Sequence, residues 1–215
     1  MDEQEAYELA PLFAAVGEAL RQNQQAMNQA DTFNGNHGDH MVEIFEIAAQ
    51  AARERSAASL AEAMEHASQL LEQRSQNGSA QVYAHGLRQM GAQFRHYQVT
   101  LSELIAYMKG VTGEGREKEG EAQNRSGEVL KALVAGLTGW SQAESGPATQ
   151  NRPLDIGALF ELGMAYLQAK QRGGSRIEVL ADAAASASPL SRSPLRYQSG
   201  KLALQALLEA MQASR

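Results

Sequence analysis

The chain has 215 residues, 43% of them hydrophobic and 20% charged, with a formal net charge of −6 and no cysteine. This length supports a sizeable core and the composition is far from that of a disordered chain. The absence of cysteine excludes disulfides, thiolate metal sites and cysteine nucleophiles. The acidic balance, without any clustered Lys and Arg, argues against a nucleic-acid partner.

Taken in chain order, Met1-Asp2-Glu3-Gln4-Glu5 is acidic and lacks the basic and apolar regions of a secretion signal. Periodicity then predicts helices over residues 3–29, 40–54 and 57–75. Tyr83, Leu87, Met90, Phe94 and Tyr97 recur at three- and four-residue spacing and predict the next helix, followed by one over 100–112. Val129, Leu133, Leu137 and Trp140 mark a further apolar stripe, as do Phe160, Gly163 and Leu167. A helix over 175–187 and a last one carrying Leu202, Leu204, Leu207, Leu208 and Met211 complete the series. Gly, Pro, Asn and Ser gather at 31–39, 76–78, 110–127, 145–153, 173–174 and 186–200, which are read as breaks. No segment alternates as a strand, and no apolar run approaches the roughly 18 residues of a bilayer span. The expected fold is all-α, a single domain over residues 1–215 built as a barrel or bundle of about eight antiparallel helices, in a cytoplasmic protein.

Two loop-to-helix junctions attract chemistry. The first, Asn34-Gly35-Asn36-His37-Gly38-Asp39-His40-Met41, places two glycines before an amphipathic helix. Glycine lets backbone N–H groups approach a ligand, and a helix N-terminus favours an anion. The second, Asn77-Gly78-Ser79-Ala80, opens the Tyr83 helix in the same way. At either place ordinary N-capping by Asn or Ser is the competing explanation. His37, Asp39, His40 and nearby Asp31 offer metal-binding atoms, but their spacing follows no zinc pattern, and a solvated polar loop is the better explanation of them. His85 and His96 fall on a helix accounted for by packing, and Ser79 has no His-Asp relay near it in sequence.

The order of these segments resembles the nucleotide-binding L subunit of dihydroxyacetone kinases, a fold also found in bacterial fatty-acid kinases. That family carries an Asp-Gly-Asp-His-Gly-Thr-Asn-Met type loop, and residues 34–41 keep its two glycines, its histidine and its methionine in register. A Gly/Ser turn with a following tyrosine is matched by Gly78-Ser79-Ala80-Gln81-Val82-Tyr83-Ala84. Ser126 to Leu133, then Leu190-Ser191-Arg192-Ser193 and Gln198-Ser199-Gly200-Lys201, resemble the later family segments. The resemblance implies an all-helical barrel whose loops, with the segments near 126 and 192, meet at one end around ADP or ATP with Mg²⁺. Gly35, His37, Gly38, Gly78, Ser79 and Arg192 would then face the nucleotide, and Asn34, Asn36 and Asp39 would occupy the metal positions.

Departures from the family pattern decide the reading. Two family aspartates are replaced by Asn34 and Asn36; another would fall near Gln29, a family arginine near Ala185, and the last aspartate at Gln198. Magnesium under a polyphosphate needs anionic oxygen, and each Asp→Asn exchange removes one negative charge from its immediate ligands. The sequence therefore points to a non-catalytic or regulatory relative that works through a protein partner or as a homo-oligomer, with no nucleic acid and no membrane. The alternatives are a phosphotransferase subunit with an atypical metal site, or a structural helical oligomer whose apolar C-terminal helix packs on a neighbour.

Overall fold

The computed structural model describes residues 8–112 and 170–214, together with residues 129, 164 and 166–168. Every regular element among them is helical. The helices are α1 (Leu9–Ala30), α2 (His37–Glu54), α3 (Leu60–Arg74), α4 (Gly78–Tyr97) and α5 (Leu101–Thr112). They are followed by α6 (Arg176–Ala187), a 3-10 turn (Pro189–Arg192) and α7 (Pro194–Ala213). The expected stripes around Leu133 and Phe160 lie outside the described residues.

Each helix forms where its sequence repeats apolar residues at helical spacing. In α1 the residues Leu9, Leu12, Phe13, Val16, Leu20 and Met27 are buried, and in α2 Met41, Ile44, Phe45, Ala48 and Ala52. These two stripes face each other. Phe13 meets Phe45 edge to face at 6.2 Å, and Phe45 meets Tyr83 of α4 at 5.6 Å, so one aromatic run ties three helices together. Boundaries follow cap chemistry. Ser59 and Glu62 form a reciprocal capping box at the start of α3, and Ser175 and Glu178 form another at α6. Gly173 and Gly174, both at positive φ (80° and 122°), make the sharp entry to α6.

Neighbouring helices run antiparallel, as their side-chain pairs show. Arg21 of α1 pairs with Glu46 of α2, whereas Asn28 lies against Gly38. In α3 and α4, Glu72 pairs with Arg88 and Glu65 with Arg95. These exposed ion pairs record the register and each contributes little stability. α7 packs on α1, α5 and α6, so the C-terminal helix is an internal part of the bundle, with Ala203, Ala206 and Met211 buried in the shared core. No helix among the described residues is long and apolar enough to cross a membrane.

Two boundaries differ from the sequence expectation. α2 starts at His37, so His37, Gly38 and Asp39 belong to a helix and the preceding loop is only 31–36. The break expected over 186–200 is largely helical: a 3-10 turn fills it, and α7 begins at Pro194. Proline at a first helical position loses no hydrogen bond and presets φ, which is why a Ser/Pro-rich stretch starts a helix here.

The joint between α6 and α7 rests on a buried acid. Asp182 is 5% exposed and accepts a hydrogen bond from the Tyr197 hydroxyl, with Arg172 at 2.9 Å and Lys201 at 3.1 Å. Burial alone would push its carboxyl up, but the Tyr197 hydroxyl and the two cations outweigh that and hold it below its ordinary 3.8. A carboxylate depressed on folding stabilises the protein above its unfolded pKa and loses that contribution as pH falls through the folded value. Asp182→Asn is therefore expected to cost roughly 1.5–3 kcal/mol at neutral pH. In urea unfolding, its gap to the wild type should narrow below pH 3.8; a pH-independent gap would remove the charge from the explanation.

Candidate functional site

The first junction is built by the end of α1. Asp31 follows the helix, and its N–H closes the last turn onto the carbonyls of Met27 and Asn28. Its carboxylate then turns toward the loop, accepting the N–H of Phe33 (3.0 Å) on one oxygen and that of Asn36 (3.2 Å) on the other. Burial works to raise this carboxyl, but hydrogen bonds from the backbone of Phe33, Asn36, Asn34 and His37 prevail and hold it below its ordinary value. Gly35, at φ 68°, makes this tight wrapping of the chain around Asp31 accessible.

Three residues earlier, Asn28 reaches across to α2. Its Oδ1 accepts the N–H groups of Gly38 (2.7 Å) and Asp39 (3.3 Å). Its Nδ2 donates to Asp39 Oδ1 at 2.7 Å, and Gln24 donates to the same oxygen at 2.7 Å. These two amides hold the Asp39 carboxyl below its usual value. The first four N–H groups of a helix have no partner within it. At the start of α2, the N–H of Asn36 is satisfied by Asp31, and those of Gly38 and Asp39 by Asn28. The positive end of α2 therefore already holds an anion, and that anion belongs to α1.

Gly38 has a packing role. It does not adopt positive φ; instead, a Cβ there would lie 2.3 Å from the Gln24 carbonyl oxygen and 2.8 Å from Asn28 Oδ1. The glycine lets α2 approach α1 closely enough for Asn28 to cap it. Gly78, by contrast, would meet nothing within 4 Å.

Behind the loop, His37 is buried and its Nε2 lies 2.9 Å from Ser199 Oγ of α7. The Ser199 hydroxyl donates to the Arg196 carbonyl at 3.1 Å, so with its one proton there, His37 Nε2 carries the hydrogen that Ser199 accepts. Burial lowers the His37 pKa, as do Arg196 and His40, against the opposing charge of Asp31. Tyr83, also buried and within the field of Arg196, has its phenol pushed well up by desolvation. With Ser199 2% exposed, the His–Ser pair is an internal strut between α2 and α7, closed to a substrate.

The second junction is an ordinary cap. Asn77 Oδ1 accepts the Ala80 N–H at 2.6 Å, and Asn77 Nδ2 donates to Glu43 of α2 (3.0 Å) and to Ser75 (2.7 Å). Gly78 and Ser79 occupy the first turn of α4. Because Glu43 is only six residues along α2 from His37, both junctions lie at one end of the bundle, and the His37–Ser199 contact brings the first part of α7 there too. Arg192, in the 3-10 turn, is exposed. Residue 126 lies outside the described residues.

The donor set does not suit magnesium under a polyphosphate. Asn34 is exposed, both oxygens of Asp31 face backbone N–H groups, and Asp39 is held by two amides. Asn36 Oδ1 is buried without a hydrogen-bond partner, but one neutral oxygen is a weak ligand for a hard dication. Among the described residues no three His, Asp or Glu side chains converge on a metal position. Two hollows among the described residues lie elsewhere: an open groove of about 440 Å³ between α1 and α2, flanked by Arg21, Glu46 and Arg53, and a smaller one at the far end of the bundle.

Sequence reasoning singled out the loop and its histidine but missed Asn28 and Arg196. The available signal was the polar run Gln24, Asn28 and Asp31 at helical spacing, which lines one edge of α1 with amide and acid groups. Comparison with known proteins gives no matching family model, no matching curated protein and no matching solved structure.

Two measurements test this geometry. Gly38→Ala is expected to lower stability by about 1–3 kcal/mol through overpacking, and Gly78→Ala to stay within about 0.5 kcal/mol of the wild type; equal midpoints in urea would contradict the close approach. For His37, a base whose folded pKa is depressed, the unfolded chain binds more protons, so stability is complete above the unfolded value of 6.5 and falls as pH drops below it. His37→Gln should flatten that acid limb in urea unfolding followed from about pH 7.5 to about pH 5.

Proposed function

We propose that this chain is a non-catalytic helical protein of the cytoplasm that acts through protein–protein contacts. It would be related to the L subunit of dihydroxyacetone kinases but would have lost phosphoryl transfer. What supports the relationship is the order of four motif-like segments in an all-helical chain, together with two glycine junctions at one end of the bundle. One observation carries the loss of chemistry: the N–H groups of Asn36, Gly38 and Asp39, which would cradle phosphate at the start of α2, are engaged by Asp31 and Asn28. A polyphosphate would have to displace a carboxylate from its own helix and would meet that carboxylate's charge as it did so. Repulsion between like charges at such short range costs several kcal/mol unless a cation intervenes.

The unpartnered Asn36 Oδ1 is the feature that favours a phosphotransferase with an atypical metal site. Titration calorimetry with ADP, with and without magnesium, separates the two readings. The non-catalytic reading predicts no saturable heat for the wild type; binding at about 10 μM that requires magnesium, equivalent to roughly 7 kcal/mol, and that Asn36→Ala abolishes, would establish the phosphotransferase reading instead.

A further inference from the structure

Two Asn-Gly pairs occur in the chain, Asn34-Gly35 and Asn77-Gly78, and the fold treats them oppositely. The side-chain carbonyl carbon of an asparagine is open to attack by the backbone nitrogen of the next residue, and glycine, lacking a Cβ, hinders that approach least. Whether the attack takes place depends on how firmly the asparagine side chain is held.

Asn34 is exposed in the turn between α1 and α2, and among the described residues no hydrogen bond holds its side chain. Gly35 follows at φ 68°, with only the Asn28 carbonyl oxygen, at 4.0 Å, near the place where a Cβ would stand. The Asn34 side chain is free to swing onto the Gly35 nitrogen. Asn77 is tied down at both of its polar atoms. Its Oδ1 accepts the Ala80 N–H at 2.6 Å, and its Nδ2 donates to Glu43 at 3.0 Å and to Ser75 at 2.7 Å. Gly78 is already the first residue of the 20-residue α4, so ring closure there would break all three bonds and uncap the helix.

We propose that Asn34 is a site of spontaneous deamidation in the folded protein and that Asn77 is protected from it. The Gly35 amide nitrogen, having lost its proton to base, bonds to Asn34 Cγ. The bond from Cγ to the side-chain nitrogen breaks, and ammonia leaves with a proton from solvent. The five-membered succinimide so formed takes up one water at either carbonyl. Opening one way gives aspartate; opening the other gives isoaspartate, whose main chain runs through the side-chain Cβ and Cγ. The balance is amide plus water to carboxylate plus ammonium, with no change of oxidation state.

Either product adds one negative charge to a chain of net −6, three positions from the Asp31 carboxylate. Isoaspartate also lengthens the main chain by one methylene between residues 34 and 35. Asp31 grips the loop on both sides of that link, through the N–H of Phe33 before it and of Asn36 after it. The longer link shifts Asn36 away from its partner, and the new charge repels that partner. The modification is one-way and loosens the start of α2, whether or not a nucleotide binds there.

Incubation of the full chain at mildly alkaline pH tests this, with peptide mapping by mass spectrometry and chromatographic separation of isoaspartate from aspartate. In the folded protein Asn34 should convert at least about tenfold faster than Asn77, a difference of about 1.4 kcal/mol in barrier height. In urea, where neither cap nor turn survives, the two sites should convert at similar rates. Asn34→Gln, whose longer side chain closes the ring far more slowly, should abolish the early acidic shift on ion exchange. In the acidic fraction recovered from the wild type, the Asn36 amide should exchange its hydrogen faster than in fresh protein. Similar rates at the two sites in the folded chain, or no conversion of Asn34 while the urea sample reacts, would overturn the proposal. So would an acidic shift that persists in Asn34→Gln, or unaltered exchange at Asn36 in the acidic fraction.

Discussion

The structure turns on how the first two helices are joined. α1 ends in two polar side chains, Asn28 and Asp31, that take up the free N–H groups at the start of α2. Helix ends are usually capped by a residue just outside the helix itself; Asn36, in that position, makes no side-chain cap. Capping from the neighbouring helix does two things at once. It satisfies three donors that lack an intrahelical partner, and it fixes the depth to which α2 slides along α1, since the amide of Asn28 can reach Gly38 and Asp39 at one register only. The absence of a side chain at Gly38 is what allows that register. With α1 and α2 set, Phe45 meets both Phe13 and Tyr83, and the core follows.

Much of this bundle was legible in the residues themselves. The apolar stripes of α1 through α5 and of α6 and α7 announce helices, because core burial needs the 3.6-residue period wherever a helix packs on one face. What misled was local chemistry. Gly and Asn at 34–38 signal a loop, yet Gly38 is helical for a reason that resides in α1, namely the Gln24 carbonyl and Asn28 side chain pressed against it. Likewise Ser193-Pro194 signals a break, but proline opens α7. Propensity measures a residue's own preferences and is blind to a neighbour that arrives from elsewhere in the chain. For the site, sequence pointed to the right loop and to His37; it could not show that His37 faces Ser199, 162 positions away, or that Asp31 turns its carboxylate back onto the loop.

Buried polar groups supply the remaining specificity. His37–Ser199 links α2 to α7, and Asp182 links α6 to α7 through Tyr197 and Lys201. Both are fully engaged within the protein, and each positions a helix that apolar packing alone would hold less exactingly. The same end of the bundle therefore carries a dense set of titratable groups that are directed at one another. On the exposed loop at that end, Phe33 presents its ring to solvent.

Amide hydrogen exchange at residues 36–39 measures the cross-helix cap directly. The first-turn amides of a helix ordinarily exchange quickly, lacking intrahelical partners. Here those of Gly38 and Asp39 should exchange slowly in the wild type, become fast in Asn28→Ala while the rest of α2 stays protected, and keep their rates when pyrophosphate is added. Fast exchange at both amides in the wild type, or new protection on adding pyrophosphate, would show that the start of α2 is open to an external anion and would contradict the account.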